Sequence, residues 1–229
     1  MQLSIALPCF NEEENVPSVL RNLDAWMQKK GIQGEIIAVN DGSKDETGRV
    51  LEEIRKTMPR LQIVTHERNL GYGAAVRSGC DRARTEWVGF MDGDGQFRAE
   101  DFDQLIPSCG AFALIVGRRK KRADPLVRKL NAKCFGLLTW LVFRVWVRDL
   151  NCAMKIFRRD LWQRIRPEHA TGALFNAELF VRARRAGVRW KQVDVTHYPR
   201  RNGVQTGANP LVILRMFREL WALYWSLRN

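Results

Sequence analysis

Short apolar runs alternate with amphipathic stretches over the first 117 residues of the chain. The runs predict strands at Leu3–Leu7, Ile36–Val39, Leu61–Thr65, Trp87–Met91 and Ala113–Val116. Apolar residues at steps of three and four predict helices at Asn15–Lys29, Lys44–Thr57 and Gly73–Arg84. This alternation predicts an α/β fold, Rossmann-like, with a mostly parallel sheet flanked by helices on both faces. Ligands are then expected beyond the carboxyl ends of the strands.

Polar side chains gather in the loops that follow three of these strands. The loops are Pro8–Glu12, Asn40–Ser43 and Asp92–Gln96. Because parallel strands end at the same edge of a sheet, we expect the loops to converge. Three polar loops with carboxylates at one edge predict a site for a nucleotide and a metal ion.

Asp92 and Asp94 are spaced to bind a divalent cation, with Gln96 as a third oxygen ligand. Mg²⁺ and Mn²⁺ prefer such hard ligands and often add phosphate oxygens of the substrate. The alternative is a glycine-flanked turn with solvated aspartates. Phe97 stands where an EF-hand loop needs glycine, so that type of calcium site is excluded.

Asp41 and Gly71 are further candidates for nucleotide binding. A carboxylate at Asp41 can accept hydrogen bonds from a nucleobase or a ribose hydroxyl. Its alternative roles are an Asx turn, or the N-cap of a helix that begins near Lys44. Gly71 and Gly73 do not complete a dinucleotide fingerprint, and we interpret them as letting a helix start close under the substrate.

The composition is that of a globular protein with an excess of positive charge. The chain has 229 residues, a formal net charge of +13 and an isoelectric point of about 10.1. Such charge favours a polyanionic partner: nucleic acid, an anionic membrane surface or a phosphorylated substrate. The five cysteines are scattered without a CxxC pair, which suits a reducing compartment, and no signal peptide is recognisable at the start.

Six motifs occur together in a recognisable order. They are ALPCFNEEENV, VNDGSKDET, RNLGYGAAVRSGCDRA, MDGDGQF, VGRRKKR and DLNCAMKIFRRD. Over residues 1–205 the chain resembles family 2 glycosyltransferases, most closely the dolichyl- or polyprenyl-phosphate mannosyl- and glucosyltransferase branch. The resemblance implies a GT-A catalytic domain over 1–205, with a nucleotide-sugar half at about 1–117 and an acceptor half at about 118–205. Residues 206–229 are interpreted as a C-terminal amphipathic helix.

The resemblance also implies roles for individual residues. Nucleotide contacts fall on Pro8, Phe10, Glu12, Asp41 and Asp92. Asp92, Asp94 and Gln96 match the family's metal group, which implies Mg²⁺ or Mn²⁺ as cofactor.

Basic residues of the second half match the family's phosphate contacts. Arg119 matches the arginine of a Gly-Ser-Arg element, although Arg118 replaces the serine here. Arg128 matches a residue that faces the acceptor phosphate, whereas Ala132 stands where the family has serine. Arg200 matches an element that contacts the donor diphosphate.

The chemistry expected of these residues is sugar transfer with inversion. A divalent ion, Arg119 and Arg200 would neutralise the leaving diphosphate. An ionised phosphate acceptor needs no strong base, whereas a hydroxyl acceptor would need one, for which Asp149 is the candidate. The alternative for Asp149 is an ion pair with Arg148 or Arg158.

Two further side chains are left with open alternatives. Glu178 either points into the site or forms an ion pair on a helix surface. His197 is interpreted as a hydrogen-bonded structural histidine, with a catalytic role close to the donor diphosphate as its alternative.

Basic and aromatic segments of the second half predict contact with a membrane. Arg118–Lys133 holds eight basic residues, and the apolar stretch Cys134–Val147 and the C-terminal segment Pro210–Leu227 carry tryptophans. These features are typical of interfacial helices. We therefore expect a peripheral protein on the cytoplasmic face of a membrane, with a separate membrane-anchoring subunit or a homo-oligomer as further partners. In the alternative, both apolar segments pack on the core or in a dimer.

The leading hypothesis is transfer of a hexose, mannose or glucose, from a nucleotide diphosphate sugar to a polyprenyl phosphate. GDP-mannose and UDP-glucose both remain open as donors. A glycolipid or saccharide hydroxyl is the alternative acceptor. Nucleotidyl transfer is disfavoured by the acidic loop at 11–14, and a nucleic-acid-binding protein without enzymatic activity by the acidic strand-end site.

Overall fold

A seven-stranded sheet in the order β3-β2-β1-β4-β6-β5-β7 forms the centre of the protein. The computed structural model describes residues 1–120, 126–172, 174–199 and 220–225, without the side chains of 126–132. The strands are β1 Leu3–Cys9, β2 Ile36–Asn40, β3 Leu61–Thr65, β4 Trp87–Phe90, β5 Leu114–Arg119, β6 Lys155–Arg158 and β7 Trp190–Val195. The helices are α1 Val16–Lys29, α2 Thr47–Arg55, α3 Tyr72–Arg82, α4 Phe102–Leu105, α5 Leu126–Phe143, α6 Arg159–Ile165 and α7 Phe175–Arg185. Short 3-10 turns flank α4 at Ala99–Asp101 and Ile106–Ser108.

The sheet is mostly parallel, as the sequence predicts, with one strand reversed. β3, β2, β1 and β4 pair in parallel, and so do β5 and β7. β6 runs antiparallel to both of its neighbours, β4 and β5. The five predicted strands are confirmed, whereas β6 and β7 are additions from the second half. Strands from both halves thus form one hydrogen-bonded sheet.

Each face of the sheet is covered by its own apolar cluster. Alternate side chains of a strand point to opposite faces, so Ile5 and Leu7 belong to one cluster and Ala6 to the other. The first cluster includes α1 through Leu20 and Leu23, and the second includes α3 and α7. The prediction of a sheet covered on both faces is confirmed.

The chain segments predicted to meet a membrane are described only in part. Residues 220–225 are helical, and Leu220 and Leu223 pack into the same cluster as Phe135 of α5. The remainder of the amphipathic helix predicted over 206–229 lies outside the described residues. In the part of the chain that the structure covers, every helix is too short or too polar to cross a bilayer.

Candidate active site

Backbone contacts hold the three predicted loops together at the carboxyl edge of the sheet. The amide of Asp41 donates to the carbonyl of Cys9 at 2.9 Å. The amide of Glu12 donates to Thr47 Oγ1 at 2.9 Å. A side chain at Gly93 would place its Cβ only 3.0 Å from the carbonyl oxygen of Pro8, so glycine permits this approach. The expected convergence of the three loops is confirmed.

The first loop presents its predicted nucleotide contacts in different environments. Phe10 is exposed, Pro8 is half-buried at the end of β1, and Glu12 is buried. The carboxylate of Glu12 accepts a hydrogen bond of 2.6 Å from Asn15 Nδ2, just before α1. Phe10 is thus the exposed apolar side chain of this loop, and its contact with a nucleotide stays a prediction.

Asp41 organises the loop that precedes α3. Its carboxylate accepts hydrogen bonds from the amides of Leu70 and Gly71, each at 2.9 Å, and lies 2.6 Å from His66 Nδ1. His66 in turn contacts Ser78 Oγ of α3 at 2.9 Å. His66, for which sequence reasoning found no role, thus links β3 to α3. Its partners lie 12 and 25 residues away, so no local pattern could reveal them.

Asp41 forms neither an Asx turn nor a helix N-cap, the two alternative roles considered for it. The turn is made by Asn40, whose Oδ1 accepts the amide of Ser43 at 3.0 Å. The helix begins at Thr47 rather than near Lys44, so Asp41 is not its N-cap. Asp41 therefore fixes the backbone of a loop some thirty residues ahead of it.

Gly71 and Gly73 bring the start of α3 against the loop that precedes α7. Gly71 has φ +98°, and a Cβ there would lie 2.6 Å from the carbonyl oxygen of Thr171. The amide of Gly73 donates to the same carbonyl at 2.7 Å. The close approach seen here is to a protein segment, and the predicted start of the helix close under the substrate stays a prediction.

Glu178 anchors that loop from inside the protein. It is fully buried and accepts hydrogen bonds from the amides of Glu168, His169 and Ala170, the shortest at 2.7 Å. Arg182 adds an ion pair of 2.8 Å. The expected helix-surface ion pair is therefore wrong in its location, because the carboxylate serves buried backbone amides.

The residues proposed to hold the metal lie on the loop after β4. The amide of Gln96 donates to Asp94 Oδ1 at 3.0 Å. Asp92 Oδ1 is buried and has no hydrogen-bond partner among the described residues. Burial and the charge of Asp94 raise the pKa of Asp92 to about 7, against the lowering effect of Tyr72, Arg119 and Lys155. A carboxylate so placed gains strongly from a cation, because a cation supplies the missing partner and charge.

A segment after β7 is attached to this loop. The amide of Tyr198 donates to the carbonyl of Gln96 at 3.0 Å, and Gln96 Nε2 donates to the Tyr198 carbonyl at 3.2 Å. His197 is buried with its ring edge-on to Phe97, at 5.4 Å between centroids. Arg200, two residues after Tyr198, lies outside the described residues. The structure nevertheless brings the chain that leads to Arg200 to the metal loop.

Arg119 and Asp149 form a buried ion pair beside these loops. Two side-chain hydrogen bonds of 2.7 and 2.6 Å join them, and the amide of Arg119 adds a third at 3.0 Å. The partner of Asp149 is thus Arg119, not Arg148 or Arg158. Arg158 pairs with Asp160 instead. Arg128 and Ala132 lie in α5, but their side chains are outside the described residues.

Lys155 is a charged residue of the site region that sequence reasoning missed. It is fully buried at the start of β6, where Nζ donates to Asn176 Oδ1 at 2.8 Å and to the carbonyl of Cys152. Nζ also lies 5.1 Å from the centre of the Phe90 ring. Burial lowers the pKa of Lys155 to about 8. A lysine within the apolar run 152–157 is the signal that could have drawn attention to it.

The fold is of the GT-A type. The chain matches glycosyl transferase family 2 over residues 4–178 and belongs to that family. It is therefore a glycosyltransferase, as its motifs predict.

Among curated relatives, the chain is similar to enzymes named for polyprenyl phosphates. It is 33% identical over 215 residues to dodecaprenyl-phosphate galacturonate synthase of Rhizobium johnstonii, covering 89% of this chain and 61% of that protein. It is 29% identical over 252 residues to dolichyl-phosphate beta-glucosyltransferase ALG5A of Trichomonas vaginalis, covering 99% and 76%. The chain thus spans about three fifths to three quarters of the length of these relatives.

Among solved structures, the fold is similar to glucosyl-3-phosphoglycerate synthase of Mycobacterium tuberculosis. The complex of that enzyme with Mn²⁺, UDP-glucose and phosphoglyceric acid matches with a TM-score of 0.74 and 18% identity, over 97% of this chain and 79% of that one. Its complex with Mg²⁺ and UDP matches with a TM-score of 0.73 and 21% identity, over 98% and 78%.

Proposed function

We propose that the protein transfers a hexose, with inversion, from a nucleotide diphosphate sugar to a polyprenyl phosphate at a membrane surface. The observation that carries this proposal is the buried, unpartnered Oδ1 of Asp92 on a loop next to Asp94 and Gln96, at the sheet edge that also holds Arg119. Dolichyl and polyprenyl phosphates in the names of the relatives support the acceptor class.

The residues present fit a divalent cation of the Mg²⁺ or Mn²⁺ kind. In the described ranges, no three histidine, cysteine, aspartate or glutamate side chains form a cluster that could hold a metal. Asp92 and Asp94 would bind it with the amide oxygen of Gln96, leaving positions for diphosphate oxygens. Bound there, the cation would neutralise the charge that develops on the leaving diphosphate.

Arg119 would assist at the diphosphate from a fixed position. Its guanidinium is held in one plane by two hydrogen bonds to the Asp149 carboxylate. A preorganised donor stabilises developing charge without having to reorient during the reaction. Arg200 and Arg128, by resemblance, would complete the phosphate contacts for donor and acceptor.

The engagement of Asp149 favours a phosphate acceptor over a hydroxyl acceptor. A hydroxyl needs a base to take its proton, and the carboxylate of Asp149 is committed to the side chain and amide of Arg119. The carboxylate of Glu178 is likewise committed to three backbone amides. An ionised phosphate carries its own negative charge and attacks without such a base.

Exposed aromatic side chains support docking at a membrane. Trp146 is 60% exposed, and its ring packs edge-on against Trp140 of α5 at 6.4 Å between centroids. Arg144 lies over the Trp140 ring at 5.8 Å. Trp221 and Trp225 are also exposed. Tryptophan with neighbouring arginine is typical of the headgroup region of a bilayer.

A transfer assay tests the proposal. Purified protein would be incubated with Mn²⁺ or Mg²⁺, a short polyprenyl phosphate and labelled donors that include GDP-mannose and UDP-glucose. We expect label in the organic phase with one donor, and its loss in Asp94→Ala. Asp160→Ala is the matched control, because Asp160 follows β6 at the opposite edge of the sheet.

The outcomes of this assay test the acceptor and the donor reaction separately. If the donor is hydrolysed in a metal-dependent way and no lipid is labelled, the result would indicate that the acceptor is a glycolipid or saccharide hydroxyl. The absence of both transfer and donor binding in the presence of metal would refute the proposed function.

A further inference from the structure

Tyr72 is placed at the site by the rigid start of α3. It is the first residue of the helix, directly after Gly71, whose amide is held by Asp41 at 2.9 Å. Its ring packs edge-on against Phe175 of α7, at 6.3 Å between centroids. The next residue, Gly73, is fixed to the carbonyl of Thr171. The backbone on both sides of Tyr72 is therefore held in place, which fixes the position of its side chain.

The hydroxyl itself is buried and has no hydrogen-bond partner in the described part of the chain. Burial, followed by the charge of Asp92, raises the pKa of Tyr72, and the hydroxyl in turn acts to lower the pKa of Asp92. The two groups lie on adjoining loops, because Asp41 binds both the amide of Gly71 and the carbonyl of Cys9, and Gly93 packs against Cys9. Asp92 Oδ1 is equally buried and equally without a partner among the described residues.

Two neighbouring buried polar atoms that lack hydrogen bonds make an unfavourable arrangement. Each such group costs free energy, and native proteins retain few of them outside functional sites. A phenol can donate one hydrogen bond and a carboxylate oxygen can accept one. A small shift of the Asp92 side chain would therefore pair the Tyr72 hydroxyl with one carboxylate oxygen and leave the other oxygen for a cation.

We propose that Tyr72 is a positioning residue that orients Asp92 for a divalent cation by donating a hydrogen bond from its hydroxyl. One oxygen of Asp92 then faces the cation and the other accepts from Tyr72. Carboxylates that bind metals are usually held by such outer hydrogen bonds, and losing one typically weakens metal binding about 10- to 100-fold. The inference rests on the proposed metal-dependent function and names a residue that the family motifs leave without a role.

Tyr72→Phe tests the inference, because it removes only the hydroxyl. Mn²⁺ binding would be measured by electron paramagnetic resonance without donor, and thermal unfolding would be measured in EDTA. We expect Mn²⁺ affinity to fall about 10- to 100-fold. The melting temperature in EDTA should equal or exceed that of the wild type, because a buried hydroxyl without a partner is removed.

Two further variants make the result specific. Tyr224→Phe removes a hydroxyl from the helix at 220–225 and should leave Mn²⁺ affinity unchanged. Asp94→Ala should abolish saturable binding. Wild-type Mn²⁺ affinity in Tyr72→Phe, with binding lost in Asp94→Ala, would overturn the role of Tyr72 and leave the proposed function intact.

Other results would also overturn the inference. A lower melting temperature in EDTA would show that the hydroxyl stabilises the metal-free fold, contrary to the positioning role. No saturable Mn²⁺ binding by the wild type would refute both the role of Tyr72 and the metal assignment on which it rests.

Discussion

Arg119 and Asp149 face each other in a two-pronged ion pair, with Nε donating to Oδ2 at 2.7 Å and Nη2 to Oδ1 at 2.6 Å. Both side chains are more than nine-tenths buried. Arg119 ends β5, and Asp149 lies on the connection that enters β6. The pair thus joins two adjacent strands at the same edge where the metal loop lies.

This ion pair predicts a strong energetic coupling between its members. Arg119→Met removes the buried guanidinium that pairs with the Asp149 carboxylate and should cost about 3–5 kcal/mol of unfolding free energy. The double variant Arg119→Met/Asp149→Leu should recover most of that loss, apart from about 1 kcal/mol for the Arg119 amide that also donates to Asp149. Urea unfolding of both single variants and the double variant gives the coupling.

The same set of variants separates stability from function. The double variant should fold and still fail to transfer sugar, because the proposed diphosphate contact is gone. Additive losses in the two single variants would contradict the coupling. Full activity in the folded double variant would remove Arg119 from the proposed mechanism.

Gly73→Ala should weaken the contact between α3 and the loop before α7. The new Cβ would lie 2.8 Å from the Phe175 Cβ and 2.9 Å from the carbonyl oxygen of Ala170. Overpacking of this kind costs about 1–3 kcal/mol. Gly136→Ala in α5 is the matched control, because its Cβ would meet nothing within 4 Å.

The two alanine substitutions should therefore have opposite signs. Gly136→Ala should stabilise the protein by about 0.5–1 kcal/mol, since alanine favours the helix. Chemical unfolding measures both changes. Equal effects in the two variants would show that helix propensity, rather than the close approach at Gly73, decides the outcome.

The lowered pKa of Lys155 predicts that the protein becomes more stable at alkaline pH. Its pKa is about 8 in the folded protein, below the ordinary lysine value of 10.5, so the unfolded chain binds more protons between these values. Stability of the wild type should then rise with pH across this window, by about 3 kcal/mol relative to Lys155→Met. The comparison with Lys155→Met cancels the titration of groups shared by both proteins.

Urea unfolding of wild type and Lys155→Met at pH 7.5, 9 and 10 measures this difference. Below pH 8 the difference should be constant, because Lys155 is charged in both the folded and the unfolded state. A difference that stays flat up to pH 10 would mean that the buried ammonium keeps an ordinary pKa.

The proposed docking at a membrane predicts an effect of Trp146 on binding to lipid vesicles. Trp146→Ser removes the largest part of an exposed aromatic pair and should weaken binding to vesicles that contain anionic lipid by about tenfold, roughly 1.4 kcal/mol. Leu70→Ser is the control, because Leu70 is also exposed but lies on the loop near Asp41. Flotation assays compare the two, and equal losses would argue against a defined docking face.

The sequence predicts most of the fold where the pattern is local. Short apolar runs predict β1 to β5, and the polar loops after β1, β2 and β4 do meet at one edge. β6 is missed because it begins with a buried lysine, which hydropathy counts as polar. Lys155 is buried through Asn176 and two aromatic rings, none of which a local window contains.

The sequence predicts where the candidate site residues lie better than it predicts their hydrogen-bond partners. Asp92, Asp94 and Gln96 follow a buried strand, so their location can be inferred from the order of elements. The backbone amides that Asp41 and Glu178 bind, and the arginine that pairs with Asp149, are 8 to 30 residues away along the chain. Such partners follow from how the loops pack, which periodicity does not encode.

The reversed strand β6 has a mechanical consequence. It belongs to the second half of the chain and is hydrogen-bonded to β4 on one side and to β5 on the other. The two halves are therefore joined by backbone hydrogen bonds within one sheet. A hinge between the halves would have to break these ladders, which is far costlier than moving a loop. We therefore expect substrate entry and product exit to depend on segments at the rim of the sheet, while the strands next to Asp92 and Arg119 keep their positions.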